Sequence, residues 1–310
     1  MFKSFENIIQ LVETFKTEND CHNYLAKQRW INKIICPYCN STHIYTCHSK
    51  RFSYVSYRCK KCKKDFSART GTIFAETKLS LRKWFMAIFL LINHSKGYSS
   101  VQLAKDIGCT QKTAWFLNHR IRNAFDTMFM DKLEGTVQVD ETYIGGKEKN
   151  KHQSKRIDGT QGRNTKTKFA VLGLRSNTGS LRAVKVDDIK SYTLNTKIMT
   201  YIKKGSTLFT DEFTSYNYTG RHFNHYKVNH KAGQYVNKRT SATTNSIESI
   251  WALLKRSIMG IYHYLSEKHI NRYLSAFVYR INTINMPIQR RFDIMLANCS
   301  GRLSYKELID

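Results

Sequence analysis

Hydrophobic residues in the N-terminal third of the chain recur every three or four positions, the spacing of one helix face. A first helix is predicted from Phe5, Ile8, Ile9, Val12 and Phe15. A second short helix can be capped by Asn19 or Asp20 and end near Trp30. A third is predicted from Ser80 to His94, with an apolar side formed by Leu81, Trp84, Phe85, Ile88 and Phe89. This part of the chain is therefore predicted to be largely helical.

Two further helices are predicted after these, joined by a short turn. Ser99 or Ser100 can cap a helix over 101–107, and Gly108 can adopt the left-handed conformation that ends it. Thr110 can cap the next helix, over 111–125. This pattern is typical of a helix-turn-helix, which we assign to residues 79–128. Its second helix would present side chains suited to base edges and phosphates: Gln111, Lys112, Asn118, Arg120 and Arg122.

The pattern changes to strands in the second half of the chain. Strands are predicted around Val137 and Val139, over 168–174, over 181–186 and over 206–210, and the first and last end in Asp140 and Asp211. Helices are predicted over 192–203 and over 244–256, and the latter carries Glu248 together with a buried face of Ile247, Ile250, Trp251 and Leu254. The order of strands, helix, strand, helix indicates an α/β domain, placed at residues 135–285, with a C-terminal tail at 286–310.

The charge of the chain narrows the class of partner. Lys and Arg outnumber Asp and Glu by 51 to 23, and the net charge of +28 is spread along the chain. Such an excess favours a nucleic-acid partner. The longest apolar run, 84–92, is less than half of the ~20 residues that a membrane span needs, and the acidic N-terminus does not suit a signal peptide. We expect a nucleic-acid-binding protein of a reducing intracellular compartment, with no membrane partner.

Two Cys-x-x-Cys pairs predict a metal site. Cys36 with Cys39, and Cys59 with Cys62, supply four thiolates at the spacing of a structural zinc centre. We assign residues 36–70 to a zinc ribbon that holds Zn²⁺, preceded by a helical segment over 1–35. The other cysteines, Cys21, Cys47, Cys109 and Cys299, are expected to be free thiols in a reducing compartment.

Three carboxylates suggest a second kind of metal chemistry. Asp140 and Asp211 are predicted at strand ends and Glu248 on a helix. Carboxylates brought together in this way can hold the Mg²⁺ ions of a two-metal phosphoryl-transfer site, although each alone is more often a turn former or a solvated residue. Glu141 and Glu212 adjoin the two aspartates and are expected to face the other way.

The chain resembles the zinc-ribbon DDE transposases of the ISXO2-like (IS1595) group, and the resemblance covers nearly all of it. Matching blocks flank both cysteine pairs and occupy the second helix of the helix-turn-helix at 113–116 and 119–122. Further blocks are 139–146, 210–212, 215–216, 245–249 and 253–256, followed by Tyr262-His263 and 266–269. The resemblance implies an RNase H-like catalytic core of the retroviral-integrase type, behind a zinc ribbon and a helix-turn-helix that recognise transposon ends.

The resemblance also implies roles for individual residues. Asp140, Asp211 and Glu248 would bind catalytic Mg²⁺ or Mn²⁺, and Lys255, two helical turns after Glu248, would hold a phosphate. Arg256 would contact DNA. Asn245 competes with Glu248 as the third ligand, because some relatives use an asparagine; we prefer the carboxylate, which neutralises the ions better. The implied activity is metal-dependent cleavage and strand transfer of double-stranded DNA, at transposon ends and target, by a homo-oligomer assembled on DNA.

Other functions remain open from the sequence. Relatives often have a histidine at the position of Thr243, two residues before Asn245, which leaves open whether this copy is fully active. A DNA-binding regulator would use only the ribbon and the helix-turn-helix, and a repair or recombination nuclease could share the core. Tyr143 and Trp251 are the aromatic residues expected to stack on DNA.

Overall fold

A computed structural model of the chain describes residues 3–47, 54–126, 128, 131–146, 150–157, 167–229 and 235–310. The fold divides into two compact units, Met1–Met128 with Thr283–Asp310, and Phe129–Asn282. In the described part of the chain, no helix has both the length and the apolar character needed to cross a membrane.

The first unit is mainly helical. Its helices are α1 (Ile8–Thr14), α2 (Glu18–Arg29), α3 (Leu81–Asn93), α4 (Ser100–Ile107), α5 (Gln111–Ala124), α9 (Ile288–Ala297) and α10 (Tyr305–Ile309). Helix α2 begins at Thr17, which forms a capping box with Asp20, so the predicted cap at Asn19 or Asp20 was placed too late. Thr110 caps α5 as predicted, and Ser80, the predicted first residue of α3, is its cap.

A three-stranded antiparallel sheet follows the first two helices. It contains β1 (Ile44–Cys47), β2 (Ser56–Cys59) and β3 (Asp65–Phe66), in the order β1-β2-β3. Its small core joins two of the cysteines to Tyr57 and Phe66, and Trp30 packs edge-on against both rings. The core is so small that a metal ion is expected to supply part of its stability.

Helices α3, α4 and α5 pack on one another, and the turn between α4 and α5 matches the sequence pattern. Ser99 caps α4 by accepting a hydrogen bond from the backbone N–H of Gln102, and Gly108 ends the helix with φ of 60°. A side chain larger than hydrogen is disfavoured at that φ, which explains the glycine.

The C-terminal residues are not the tail that the sequence analysis expected. Helix α9 buries Phe292 completely, and this ring packs against Phe5, Phe15 and Phe85. Arg291, also buried, donates a hydrogen bond to the backbone oxygen of Ile92 in α3. Residues 283–310 thus complete the core of the first unit, although they are distant in sequence from its other helices.

The second unit contains a five-stranded sheet. Its strands are β4 (Thr136–Ile144), β5 (Phe169–Ser176), β6 (Leu181–Val186), β7 (Thr207–Thr210) and β8 (Asn224–Lys227), in the order β6-β5-β4-β7-β8. The first three strands in sequence pair antiparallel, whereas β7 pairs parallel with both β4 and β8. This arrangement is RNase H-like, and the predicted α/β class is confirmed.

Helices cover both faces of this sheet. Helix α6 (Ser191–Tyr201) packs Leu194 and Ile198 against Val137 and Val139 of β4. On the other face, α7 (Asn245–Ser257) and α8 (Ile270–Thr283) enclose a second core around Trp251. Strand β4 runs four residues beyond Asp140, so the prediction that it ends at this aspartate is wrong.

The burial of Phe292 generates a prediction. Replacing Phe292 with Ala should lower the free energy of unfolding by about 3–5 kcal/mol, because the cavity lies in a cluster of aromatic rings. Ile309→Ala, at a residue that is 54% exposed in α10, should change it by less than about 0.5 kcal/mol. Urea denaturation of the full chain measures both. An unchanged midpoint for Phe292→Ala would contradict this packing.

Candidate active site and zinc centre

The four cysteines of the two Cys-x-x-Cys pairs converge in the ribbon. Their sulfur atoms lie within 4.8 Å of one another, and two pairs, Cys36–Cys62 and Cys39–Cys59, are 3.6 Å apart. Four thiolates at the usual Zn–S distance of about 2.3 Å would have sulfur atoms about 3.8 Å apart in a tetrahedron. The sulfur positions therefore fit a zinc ion.

The two knuckles of the ribbon have the same backbone design. The N–H of Asn40 donates to the oxygen of Cys36, and the N–H of Lys63 donates to that of Cys59, both at 3.0 Å. Asn40 and Lys63 have φ of 57° and 59°, so each turn closes through a left-handed residue. The backbone N–H of Cys62 donates to the Cys59 thiol and holds the pKa of that thiol below its ordinary value.

The three candidate carboxylates come from three elements of the second unit. Asp140 lies in the middle of β4, on the sheet face that α7 covers. Asp211 directly follows β7, the parallel neighbour of β4; Gln138 pairs with Phe209, so the two aspartates occupy matching positions two residues later. Glu248 is in the first turn of α7 and accepts a hydrogen bond from the Thr244 hydroxyl at 2.7 Å.

The electrostatic environment of Asp140 includes the charges of the other two candidate carboxylates. Burial, and then the negative charges of Glu141, Asp211 and Glu248, raise the pKa of Asp140 to about 7. Asp211 and Glu248 thus contribute to the charge around Asp140, whereas among the described residues only the four cysteines lie close enough together to form a metal-ligand group in this conformation. The site thus concentrates negative charge that a cation would neutralise.

The neighbouring glutamates are directed elsewhere. Glu141 is buried on the opposite face of β4, where its Oε2 accepts a hydrogen bond from the Tyr216 hydroxyl at 2.6 Å. Tyr216 lies in the short 3-10 turn Thr214–Tyr216 that follows Asp211, so this bond fixes the segment carrying the second aspartate. Glu212 is exposed.

Helix α7 presents an exposed polar stripe. Asn245, Glu248 and Lys255 are all exposed and lie at helical spacing on one face, and Arg256 is exposed beside them. The backbone N–H of Asn245 donates to the Thr243 hydroxyl at 3.2 Å, so Thr243 contributes to the start of this helix.

The two aromatic residues expected to stack on DNA are placed otherwise. Trp251 is only 4% exposed and donates a hydrogen bond from its indole nitrogen to Asp140 Oδ2 at 3.0 Å. Tyr143 packs against the core on the opposite face of the sheet. The stacking prediction is therefore wrong for Trp251, and Tyr143 contributes its ring to the core. The alternation of inward and outward side chains along β4 already indicated a core position for Tyr143. The spacing of apolar residues along α7 indicated the same for Trp251.

Helix α5 exposes only part of the predicted recognition set. Gln111 and Lys112, at its N-terminus, are exposed. Asn118, Arg120 and Arg122 are 1%, 4% and 2% exposed, so the prediction that they face DNA is wrong for this conformation. Arg120 instead donates to the backbone oxygen of Ala75 at 2.7 Å, with its guanidinium over the rings of Trp84 and Phe116. Arg120 therefore contributes to the packing of the helical unit.

A partly buried histidine supports the end of β7. His225 in β8 is 2.8 Å from the Thr210 hydroxyl through Nε2 and 3.0 Å from the Thr219 hydroxyl through Nδ1. Burial, and then the charge of Lys227, lower the pKa of His225 to about 4. The ring is therefore neutral near pH 7, and it anchors the residue before Asp211 without offering a cation to DNA.

Two protein-family models match separate parts of the chain. The ISXO2-like transposase domain matches residues 132–282, and a transposase zinc-ribbon domain of the IS1595 group matches residues 16–65. A protein from Halobacterium salinarum, described as an uncharacterized protein in transposable element ISH50, is 29% identical over 285 residues, which cover 89% of this chain and 95% of that protein.

Two solved structures match the chain with lower sequence identity. The Mos1 transposase paired-end complex with left transposon end is 8% identical, with a TM-score of 0.27, and the match covers 71% of this chain and 80% of that chain. A pre-cleavage Mos1 transpososome is 9% identical with a TM-score of 0.25, and the match covers 70% and 79%.

The sulfur geometry predicts the metal content of the ribbon. Cys36→Ser and Cys59→Ser should each reduce bound zinc well below one ion per chain and unfold the small sheet, because structural zinc binding supplies folding free energy. Cys47→Ser is the matched control, since Cys47 lies in β1 of the same sheet but outside the four-sulfur group. Elemental analysis of the purified proteins gives the zinc content. Full zinc content in Cys59→Ser would contradict the assignment.

Proposed function

Because the chain belongs to the ISXO2-like transposases of the IS1595 group, we propose that it catalyses divalent-metal-dependent DNA strand cleavage and strand transfer at the ends of its own insertion sequence. The observation that supports this proposal is the placement of Asp140 and Asp211 at matching positions of the neighbouring strands β4 and β7, with Glu248 on the helix that packs on β4. Burial, and then the charges of Glu141, Asp211 and Glu248, raise the pKa of Asp140 to about 7. Carboxylates crowded in this way favour a bound cation.

The residues present suit Mg²⁺ or Mn²⁺. Hard divalent ions prefer carboxylate oxygens, and Asp140, Asp211 and Glu248 supply them from two neighbouring strands and one helix. When bound, the ions would activate the attacking water or 3′-hydroxyl and stabilise the leaving oxygen. Asn245 lies on the exposed face of α7 near Glu248 and is the alternative third ligand.

Other side chains of α7 would handle the DNA backbone. Lys255 lies two turns after Glu248 on the same exposed face, where its ammonium group can bind a phosphate next to the reacting one. Arg256 is exposed beside it and can neutralise a further phosphate. The helix thus holds a metal ligand and the phosphate contacts in fixed register.

Recognition of transposon ends is assigned to the first unit. Recognition helices of helix-turn-helix proteins contact bases through their N-terminal residues, and in α5 these are the exposed Gln111 and Lys112. The zinc ribbon, which we propose holds one structural zinc ion, adds exposed lysines that can bind phosphates. Cleavage of both ends implies a homo-oligomer assembled on double-stranded DNA, acting at the nucleoid in the cytoplasm.

The carboxylates generate the central activity prediction. Asp140→Ala, Asp211→Ala and Glu248→Ala should each reduce Mg²⁺- or Mn²⁺-dependent cleavage of a terminal-repeat duplex below detection, because each removes a metal ligand. Glu212→Ala is the matched control, since this exposed residue adjoins Asp211 without facing Asp140. Cleavage on sequencing gels and binding by gel shift are measured on the same proteins, and binding should be retained.

Three outcomes would change the account. If Glu248→Ala cleaves at the wild-type rate and Asn245→Ala does not cleave, the third metal ligand is Asn245 and not Glu248. If the wild-type protein binds the terminal repeat specifically but cleaves it with neither Mg²⁺ nor Mn²⁺, the protein is better described as a DNA-binding regulator or as a transposase copy inactivated by Thr243. Cleavage without strand transfer would favour the nuclease.

The exposed end of α5 generates a separate prediction. Gln111→Ala and Lys112→Ala together should weaken binding to the terminal repeat by about 1–3 kcal/mol for each lost base contact, with little effect on random duplex. Lys105→Ala, at an exposed lysine of α4, is the control for lost charge and should weaken both duplexes equally. Fluorescence anisotropy at fixed salt measures the affinity of each protein for the terminal repeat and for random duplex. If the ratio of these two affinities is the same for the double variant as for the wild type, this helix end takes no part in recognition.

A further inference from the structure

The indole of Trp251 makes a contact that core packing does not require. Its ring lies between α7 and the sheet, in the core that contains Ile247 and Leu254. Its Nε1–H donates to Asp140 Oδ2 at 3.0 Å, so a core residue is bonded to a carboxylate of the candidate metal site. A phenylalanine or leucine could fill the same space, but neither has a donor.

The sheet is built to admit this ring. Gly173 on β5 is the register partner of Asp140 on β4. A Cβ atom at position 173 would lie 2.3 Å from Cζ2 and 2.5 Å from Cη2 of Trp251, which is far inside van der Waals contact. Since these are rigid ring atoms, any side chain at 173 would displace the indole. The glycine therefore provides the space that brings the indole nitrogen to Asp140.

A second hydrogen bond fixes the same helix to the same strand. The backbone N–H of Ile247 donates to Gln138 Oε1 at 3.0 Å, two residues before Asp140 on the same face of β4. Trp251 lies one helical turn after Ile247. The first turn of α7, which carries Glu248, is thus held between two hydrogen bonds that α7 donates to β4.

We propose that Trp251 is a positioning residue of the catalytic site: its indole N–H fixes the orientation of the Asp140 carboxylate and the distance between this carboxylate and Glu248. The inference rests on the proposed function, because it assumes that Asp140 and Glu248 bind the metal. One carboxylate oxygen of Asp140 is held by the indole, so the carboxylate rotates less freely. Since Glu248 lies three residues before Trp251 on α7, the same bond links the positions of two ligands.

The test compares two conservative variants. Trp251→Phe keeps an aromatic ring in the core and removes the N–H donor. Trp84→Phe is matched to it: Trp84 is also buried, 1% exposed, and its indole donates to the Thr77 hydroxyl at 3.2 Å in the other unit. Both should remain folded by circular dichroism. Loss of a group that orients a metal ligand typically costs about 10–100-fold in metal affinity or activity.

We expect Trp251→Phe to cleave the terminal repeat about 10–100-fold more slowly and to need a higher Mn²⁺ concentration for half-maximal rate. Mn²⁺ binding to the DNA-free protein, measured by electron paramagnetic resonance, should weaken by a similar factor. Trp84→Phe should leave both metal readouts unchanged, whatever it does to stability. A purely structural role for Trp251 would lower the melting temperature without changing the Mn²⁺ dependence, and that result would overturn the proposal.

A measurement on the wild-type protein does not depend on a variant that folds. With ¹⁵N-labelled tryptophan, the four indole N–H groups of the chain give separate resonances. Addition of Mg²⁺ should shift the Trp251 resonance, because its acceptor becomes a metal ligand, and leave the Trp84 resonance in place. If no indole resonance shifts while Mg²⁺ supports cleavage, the proposal fails.

The two proposals can fail separately. If Asp140→Ala cleaves like the wild type, the metal site itself is wrong. If Asp140→Ala is inactive while Trp251→Phe keeps the wild-type rate and Mn²⁺ dependence, only the positioning role is wrong. Gly173→Ala provides a second test, because the added methyl group displaces the indole without changing its chemistry. This variant should lose cleavage rate and Mn²⁺ affinity by factors similar to those of Trp251→Phe.

Discussion

The attachment of α7 to β4 is the constraint on which the candidate active site depends. Two hydrogen bonds define it, from Ile247 N–H to Gln138 and from the Trp251 indole to Asp140. Without them, the distance between the exposed Glu248 and the sheet would vary with the packing of the core. A bond of this kind is directional, whereas apolar burial alone tolerates sliding and rotation.

Strand β4 uses its two faces to hold two different parts of the site. Asp140 faces α7, and Glu141 on the other face accepts a hydrogen bond from Tyr216, in the turn just after Asp211. His225 holds the end of β7 from the next strand. Each candidate ligand is therefore carried by a short segment that a buried polar contact fixes to the sheet. Such support suits a site that must gather negative charge before a cation arrives.

Much of this arrangement could be predicted from the sequence, and the failures have physical reasons. Strand β6 has the predicted bounds, and Gly108 has the predicted left-handed turn, because both depend on local pattern. The burial of Arg120 was missed because a cation normally indicates a surface, and only the tertiary fold supplies the Ala75 carbonyl oxygen and the rings that accept it. Strand β8 was missed because four largely polar residues at a sheet edge carry almost no strand signal. The spacing of Phe292, Met295 and Leu296 was a helical signal in the supposed tail, but its partners are the N-terminal helices, which no local pattern identifies.

The central claim is that Asp140, Asp211 and Glu248 together form one divalent-metal site on the RNase H-like sheet. Anomalous X-ray scattering from crystals of the full chain soaked in Mn²⁺ tests it most directly, because it locates the ion without reference to activity. The account predicts manganese density bounded by these three carboxylates, with the Trp251 indole still bonded to Asp140. Manganese bound through Asn245 with Glu248 turned to solvent, or no manganese at Asp140, would contradict it.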